Sequence, residues 1–284
     1  MIIKAHRFIS MKQSILLITG CILLLSACQN SRLIKRGDSL EVAYGKAMSL
    51  YEEEDFSEAA EAFEIVTRSG RGTEYGQLAQ FYLAESYFYG RRYLLAASEY
   101  ERFIQYYPRN EKRIEAEYKT ALSYYKQSPR FKLDQTATKK ALERFQLFIN
   151  RYPDSDYVQK AANRIDELRT KLAHKSYEAA QFYIRTEKYE AATIYLDLTI
   201  DQYPESKWAE KALVQLIDTF VEYADKSIAS KQAERYEKAI ENYEKFIQLF
   251  PESEYRGEVE NLHDEASRKL TEISPVTVEN SDTQ

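Results

Sequence analysis

The sequence predicts an all-α fold: a solenoid of about five helical hairpins closed by a C-terminal capping helix. Three observations carry this prediction. First, the phrase ALERFQLFINRYPDSD, from Ala141 to Asp156, recurs when the chain is aligned on Pro108, Pro153, Pro204 and Pro251. Twelve residues before each proline stands an alanine: Ala96, Ala141, Ala192 or Ala239. Eight before stands Tyr100, Phe145, Leu196 or Tyr243; four before, always an isoleucine; one before, always an aromatic ring. Such offsets line one face of a helix, and the proline stops it by pushing the preceding residue out of the α region. Second, these prolines recur every 45 to 51 residues, the period of stacked helical hairpins. Third, the 284 residues hold only 8 Gly and 6 Pro against 24 Tyr and 13 Phe, which suits long helices with bulky ridges.

Taken in order, the first repeat runs from Leu40 to Thr73. Ala47, Phe56, Ala59 and Phe63 alternate small and large where two helices must approach and then fill the gap to the next pair. Its closing proline is replaced by Ser69-Gly70-Arg71-Gly72. The second repeat, Gln77 to Asn110, is the most regular. The third begins near Ile114, and its second helix is delayed by an insertion, Ser128 to Thr136, with Pro129 as breaker. The fourth spans Ala173 to Ser206. Its first helix should begin near Tyr157, because no Gly or Pro occurs between Asp154 and Tyr203. The fifth begins near Trp208, with a first helix extended to about Ala229. Ser155, Ser206 and Ser253 offer hydroxyl caps to the helices that follow them. Glu234–Lys238 and Glu241–Lys245 are expected as surface i,i+4 pairs. Arg256 to Glu272 reads as the polar capping helix that ends a solenoid. Ser274 to Gln284 is poor in apolar residues and is expected to be disordered.

The N-terminus is an address. Ile15 to Leu25 is an apolar run too short to span a bilayer, preceded by Lys4, Arg7 and Lys12; it reads as a signal-peptide core. It ends in Leu25-Ser26-Ala27-Cys28, which resembles a bacterial lipobox. That resemblance implies removal of residues 1–27 and lipidation of Cys28, with two or three acyl chains giving stable anchoring. Residues 28–38 then form a tether. Cys21 leaves with the signal, so no disulfide is available. The formal net charge of −5 becomes −8 once the three basic residues of the signal are removed. An acidic surface argues against nucleic acid as a partner.

No constellation for chemistry stands out. There is no GxSxG, Walker loop, HExxH or CxxC. His174 and His263, the histidines of the mature chain, have no cysteine partners, so no metal site and no cofactor is expected. Glu52-Glu53-Glu54-Asp55 reads as a solvated helix end. The chain is therefore expected to act by binding and not as an enzyme.

The repeats fit the tetratricopeptide pattern. Five such hairpins, an insertion in the third, a long helix entering the fourth and a lipobox together resemble the lipoprotein family of the outer-membrane β-barrel assembly machinery. The wording of Tyr124–Asp156 and Lys160–Pro204 is similar to that family, and the resemblance covers roughly Ser39 to Glu272. It departs at the Ser69–Gly72 turn and in the long first helix of the fifth repeat. The resemblance implies a right-handed solenoid on the periplasmic side of the outer membrane, without cofactor. Residues 39–156 (repeats 1–3) would receive unfolded outer-membrane proteins. Residues 157–273 (repeats 4–5 and cap) would dock on the POTRA region of a BamA-like barrel protein, beside other lipoproteins of the complex. A general scaffold lipoprotein in envelope division or peptidoglycan work is the alternative.

In this repeat family the first helix of each hairpin carries the binding face. That places Tyr44, Met48, Tyr51, Phe81, Phe88, Tyr118 and Tyr125 along a candidate peptide-binding groove, with core burial as the competing reading of the same rings. The fourth repeat offers a more polar set: His174, Tyr177, Gln181, Ile184 and Arg185.

Overall fold

The computed structural model describes residues 34–273. Cys28, the expected lipidation site, the expected signal segment 1–27 and the tail 274–284, expected to be disordered, lie outside them. Among the described residues there are eleven helices and no strand. The first hairpin is α1 (Leu40–Glu52) and α2 (Phe56–Ser69); the second is α3 (Glu74–Tyr89) and α4 (Tyr93–Tyr106). The third is α5 (Arg113–Gln127) and α6 (Thr136–Arg151); the fourth is α7 (Val158–Arg185) and α8 (Tyr189–Gln202). The fifth is α9 (Lys207–Asp225) and α10 (Ala229–Leu249), and α11 (Arg256–Ile273) follows. This is an all-α helical-repeat solenoid.

The boundaries have local causes. The Ser39 hydroxyl accepts from the Val42 amide at 3.3 Å and opens α1. The Thr73 hydroxyl accepts from Gly76 N–H at 3.1 Å and donates to the Gly70 carbonyl at 2.7 Å, opening α3. The glycines of that turn are required: a Cβ on Gly76 would stand 2.0 Å from the Gly70 oxygen, and Gly72 has φ +86°. This close crossing replaces the proline turn of the other repeats. Three hairpin tips turn through a left-handed residue that is not glycine: Glu54 (φ 62°), Arg91 (φ 60°) and Glu187 (φ 54°).

Three local expectations are corrected. The Ser206 hydroxyl does not cap α9; it is buried without a hydrogen-bond partner. Ser155 and Ser253 accept instead from the amides two residues on, Tyr157 at 3.3 Å and Tyr255 at 3.0 Å, and so shape the turn ahead of each helix. The first helix of the fifth hairpin stops at Asp225, where the turn 226–228 ties the Ser227 amide to the Ala224 carbonyl. On α10 the surface pairs are i,i+3, Lys231–Glu234 at 2.9 Å and Lys238–Glu241 at 2.6 Å, while Lys245 faces Asp201 at 3.8 Å. Each acid there has a lysine three residues before it as well as four after, and the nearer one takes it.

Two compact units form: residues 34–127 with 143–158, and 128–142 with 159–273. In the first, Ala47, Leu50, Phe63, Val66 and Leu83 form one buried cluster, and Phe81, Ala84, Tyr100 and Phe103 another. In the second, Leu196, Leu213, Leu216, Ile217 and Phe246 anchor the core. Ala96, Ala141, Ala192 and Ala239, the alanines of the repeated phrase, are all fully buried. Burying such side chains contributes roughly 25 cal/mol per Å² of apolar surface removed from water.

The insertion is tied down within the second unit. The buried Gln135 amide donates to the carbonyls of Arg130 (2.9 Å), Phe131 (3.4 Å) and Leu133 (3.0 Å), and its oxygen accepts from the Thr138 hydroxyl at 2.7 Å. Lys171 and Lys175 of α7 bind the Ser128 hydroxyl and the Leu133 carbonyl, each at 2.7 Å.

Candidate binding faces

On the first unit, aromatic rings from α1 and α3 form a continuous field. Tyr44 meets Tyr75 at 5.5 Å and Tyr82 at 6.5 Å. Tyr51 meets Tyr82 at 5.3 Å, Phe56 at 5.7 Å and Tyr89 at 6.2 Å. Tyr89 stacks on Phe56 and touches Phe88, both at 5.5 Å. Met48 packs on the same cluster as Tyr44 and Tyr51. Tyr44, Met48, Tyr51, Tyr82 and Phe88 are half-buried, and Tyr89 is 47% exposed. Burial, then Tyr82 and Glu52, pushes the Tyr44 phenol up to about 12.

Beneath these rings lies one carboxylate. Glu85, 4% exposed, accepts from both the Tyr51 and Tyr100 hydroxyls. It also takes the Lys119 ammonium, at 2.6 and 2.5 Å on its two oxygens. Tyr51, Glu85 and Lys119 stand 34 residues apart, the same position in three successive first helices. Lys119 also sits 5.4 Å from the Tyr89 ring centroid and 3.4 Å from Glu115. Burial pulls the Lys119 ammonium down, but the charge and hydrogen bond of Glu85 outweigh it, and the net shift is upward. Burial, then the charge of Glu85, raises the Tyr51 and Tyr100 phenols.

Of the seven groove residues expected from the sequence, Tyr44, Met48, Tyr51 and Phe88 reach this face. Phe81 (2% exposed) and Tyr118 (7%) are core residues. Phe81 packs edge-on against Tyr100 and Phe103; Tyr118 stacks on Tyr157 at 4.5 Å and abuts Phe145 and Phe148. Tyr125 is half-buried, 6.4 Å from Phe145. Sequence reasoning missed Tyr82, Tyr89, Glu85 and Lys119. The 34-residue spacing of Tyr51, Glu85 and Lys119 was the available signal for the last two.

The second unit has its own aromatic stack. The His174 ring lies between Phe131 of the insertion, at 3.7 Å, and Trp208 of α9, at 3.9 Å and 7° from parallel. Tyr177 approaches Trp208 at 5.2 Å. Gln181 donates to Gln215 at 3.1 Å, and Gln215 donates to Asp218 at 2.9 Å. His174 and Tyr177 of the polar set thus meet at Trp208, Gln181 joins Gln215, and Tyr177 and Ile184 both pack on the core. A cleft of about 390 Å³ beside the insertion is bordered by Gln135, Lys139, Lys175, Tyr195, Leu198 and Tyr203. Among the described residues, no group of three or more His, Cys, Asp or Glu is placed to hold a metal ion. No described helix is long and apolar enough to cross a membrane.

The family model described as outer membrane lipoprotein (YfiO) matches residues 37–234. The chain belongs to this YfiO family of outer membrane lipoproteins. The match begins just before α1 and stops inside α10, short of the Glu272 expected from the sequence. A tetratricopeptide repeat model matches residues 227–253, which cover all of α10. Two relatives of this chain both carry the name outer membrane protein assembly factor BamD. That of Caulobacter vibrioides is 24% identical over 204 residues, 72% of this chain and 66% of the relative. That of Rickettsia prowazekii is 26% identical over 214 residues, 73% of this chain and 82% of the relative. Among solved structures, a TPR repeats protein from Bacteroides fragilis superposes with a TM-score of 0.46 at 13% identity, over 81% of this chain and 99% of that one.

Proposed function

We propose that the chain is a periplasm-facing outer-membrane lipoprotein, anchored through Cys28, that assists β-barrel assembly by binding. Residues 39–156 receive extended segments of unfolded outer-membrane proteins on the aromatic face. Residues 157–273 dock on the POTRA region of a BamA-like barrel protein. Membership of the YfiO family and the names of the relatives support the assembly role.

The observation that carries the substrate reading is the run of half-exposed rings from Tyr44 through Tyr82 and Tyr51 to Tyr89 and Phe88. Barrel strands alternate apolar and polar residues and carry aromatic girdles. An extended segment of that kind needs ring faces at regular spacing. Tyrosine supplies large contact area with few rotors to freeze.

The test is titration of the chain with a barrel C-terminal peptide. Phe88→Ala with Tyr89→Ala should weaken binding about thirtyfold, or ~2 kcal/mol. Unchanged affinity in a double variant of wild-type stability would remove the groove from this face. Phe81 and Tyr118 are unsuited to the test, because their truncation opens the core.

A further inference from the structure

We infer that the second unit carries a pocket for a guanidinium side chain of a partner polypeptide, walled by Tyr177 and Tyr255 and charged by Asp218 and Glu258. The inference deepens the reading that residues 157–273 dock a partner, and it names the chemistry of one contact.

A cavity of about 220 Å³ opens where α7, α9 and the start of α11 meet, lined by Tyr177, Lys211, Val214, Gln215, Asp218, Tyr255 and Glu258. The first helices of the fourth and fifth hairpins and the capping helix with its preceding turn thus each contribute a side. Asp218 accepts a single hydrogen bond, from the Gln215 amide at 2.9 Å. That amide is held in orientation, because its carbonyl is occupied by Gln181. Neither Asp218 nor Glu258 has an ion-pair partner among the described residues. Burial pushes the Asp218 carboxyl upward, with the Gln215 bond opposing it. Lys211, the cation in the lining, sits 5.7 Å from the Trp208 ring centroid.

The phenol oxygens of Tyr177 and Tyr255 have no hydrogen-bond partner among the described residues. The two tyrosines and Glu258 are near neighbours: after burial, Glu178, Tyr255 and Glu258 raise the Tyr177 phenol.

The ligand chemistry follows from these groups. Two carboxylates against one lysine repel an anion. An apolar side chain would bury Asp218 further without a partner, which is costly. A cation satisfies the carboxylates, and aromatic walls attract cations through their ring faces. A guanidinium fits better than an ammonium. It is planar, weakly hydrated, stacks on aromatic faces and offers a fork of donors to carboxylates.

The chain reports on this pocket itself, since Trp208 is its one tryptophan and lies beside Tyr177. The full chain is titrated with N-acetyl-arginine amide while Trp208 fluorescence is followed. The neutral citrulline analogue and N-acetyl-lysine amide are the comparison probes. A saturable response to arginine, a weaker one to lysine and none to citrulline are expected. Asp218→Asn should weaken arginine about tenfold or more. Should that variant fail to fold, Glu258→Gln, at an exposed position, should show the same direction.

Equal binding of citrulline and arginine would overturn the inference. So would unchanged affinity in a folded Asp218→Asn or Glu258→Gln variant, or no saturation below about 100 mM arginine amide. Capture of a barrel partner by the chain without arginine binding would sink the pocket and leave the docking reading. Arginine binding with no partner captured would do the reverse.

Discussion

At Glu85 the first unit's core and its exposed face meet. The carboxylate is buried, yet Lys119, Tyr51 and Tyr100 all point at it. Replacing one member of a buried charge pair leaves the other uncompensated. Lys119→Met should therefore cost about 3–5 kcal/mol in urea unfolding, whereas Lys119→Met with Glu85→Leu should recover only part of that loss, because the buried Tyr100 hydroxyl then loses its acceptor. A single-variant loss below about 1 kcal/mol would mean that water reaches the pair. His174 offers a second test at this scale. Burial in the ring stack lowers its pKa, with Glu178 opposing and Lys207 and Lys132 reinforcing. The unfolded chain then binds the proton more readily, so stability falls as pH drops below the ordinary histidine value of ~6.5 and levels off below the folded value. His174→Phe keeps a ring in the stack and removes the proton. Its melting temperature should fall less than wild type between pH 7.5 and 5; equal falls would show that His174 is not the source of the pH dependence. Neither partnership was legible in the sequence. Glu85 meets Tyr51 and Lys119, and His174 meets Trp208, across 34 residues, and the sequence shows the spacing without showing which side chains turn inward.

The elements themselves were legible, because their signals are local. The alanine, aromatic, isoleucine and proline offsets mark the second helix of each hairpin, and all four phrase alanines are buried. Ala141→Leu should therefore overpack its helix contact and cost roughly 1–3 kcal/mol in urea unfolding; unchanged stability would place Ala141 at a yielding contact. The Ser128–Thr136 insertion was legible from Pro129. The order inside it was not, since it rests on one amide, Gln135, reaching three carbonyls. The end of α9 was also missed, because Lys226-Ser227-Ile228 contains no glycine or proline. Hairpin tips carry a further signal. Arg91 holds φ 60° at an exposed turn, a conformation that costs a residue with a Cβ roughly 1–2 kcal/mol. Arg91→Gly should raise the urea midpoint, and a lowered midpoint would show that the Arg91 side chain contributes more than the backbone strain removes.

For the whole molecule, the repeat is legible in the sequence, and the structure adds two faces of different chemistry. The first unit presents rings over a neutralised ion pair. The second presents a histidine stack and a carboxylate pocket. First helices supply most of both, with side chains at a 34-residue register, as Tyr51–Glu85–Lys119 and Gln181–Gln215 show. The role proposed for the chain, bringing two polypeptides together, draws on both faces.

That role is tested most directly by depleting the chain from growing cells and quantifying the β-barrel proteins of the outer membrane. The account predicts that folded barrels fall together, and that a Phe88→Ala, Tyr89→Ala variant restores them only in part while remaining membrane-anchored. Undiminished barrel levels after full depletion would contradict it.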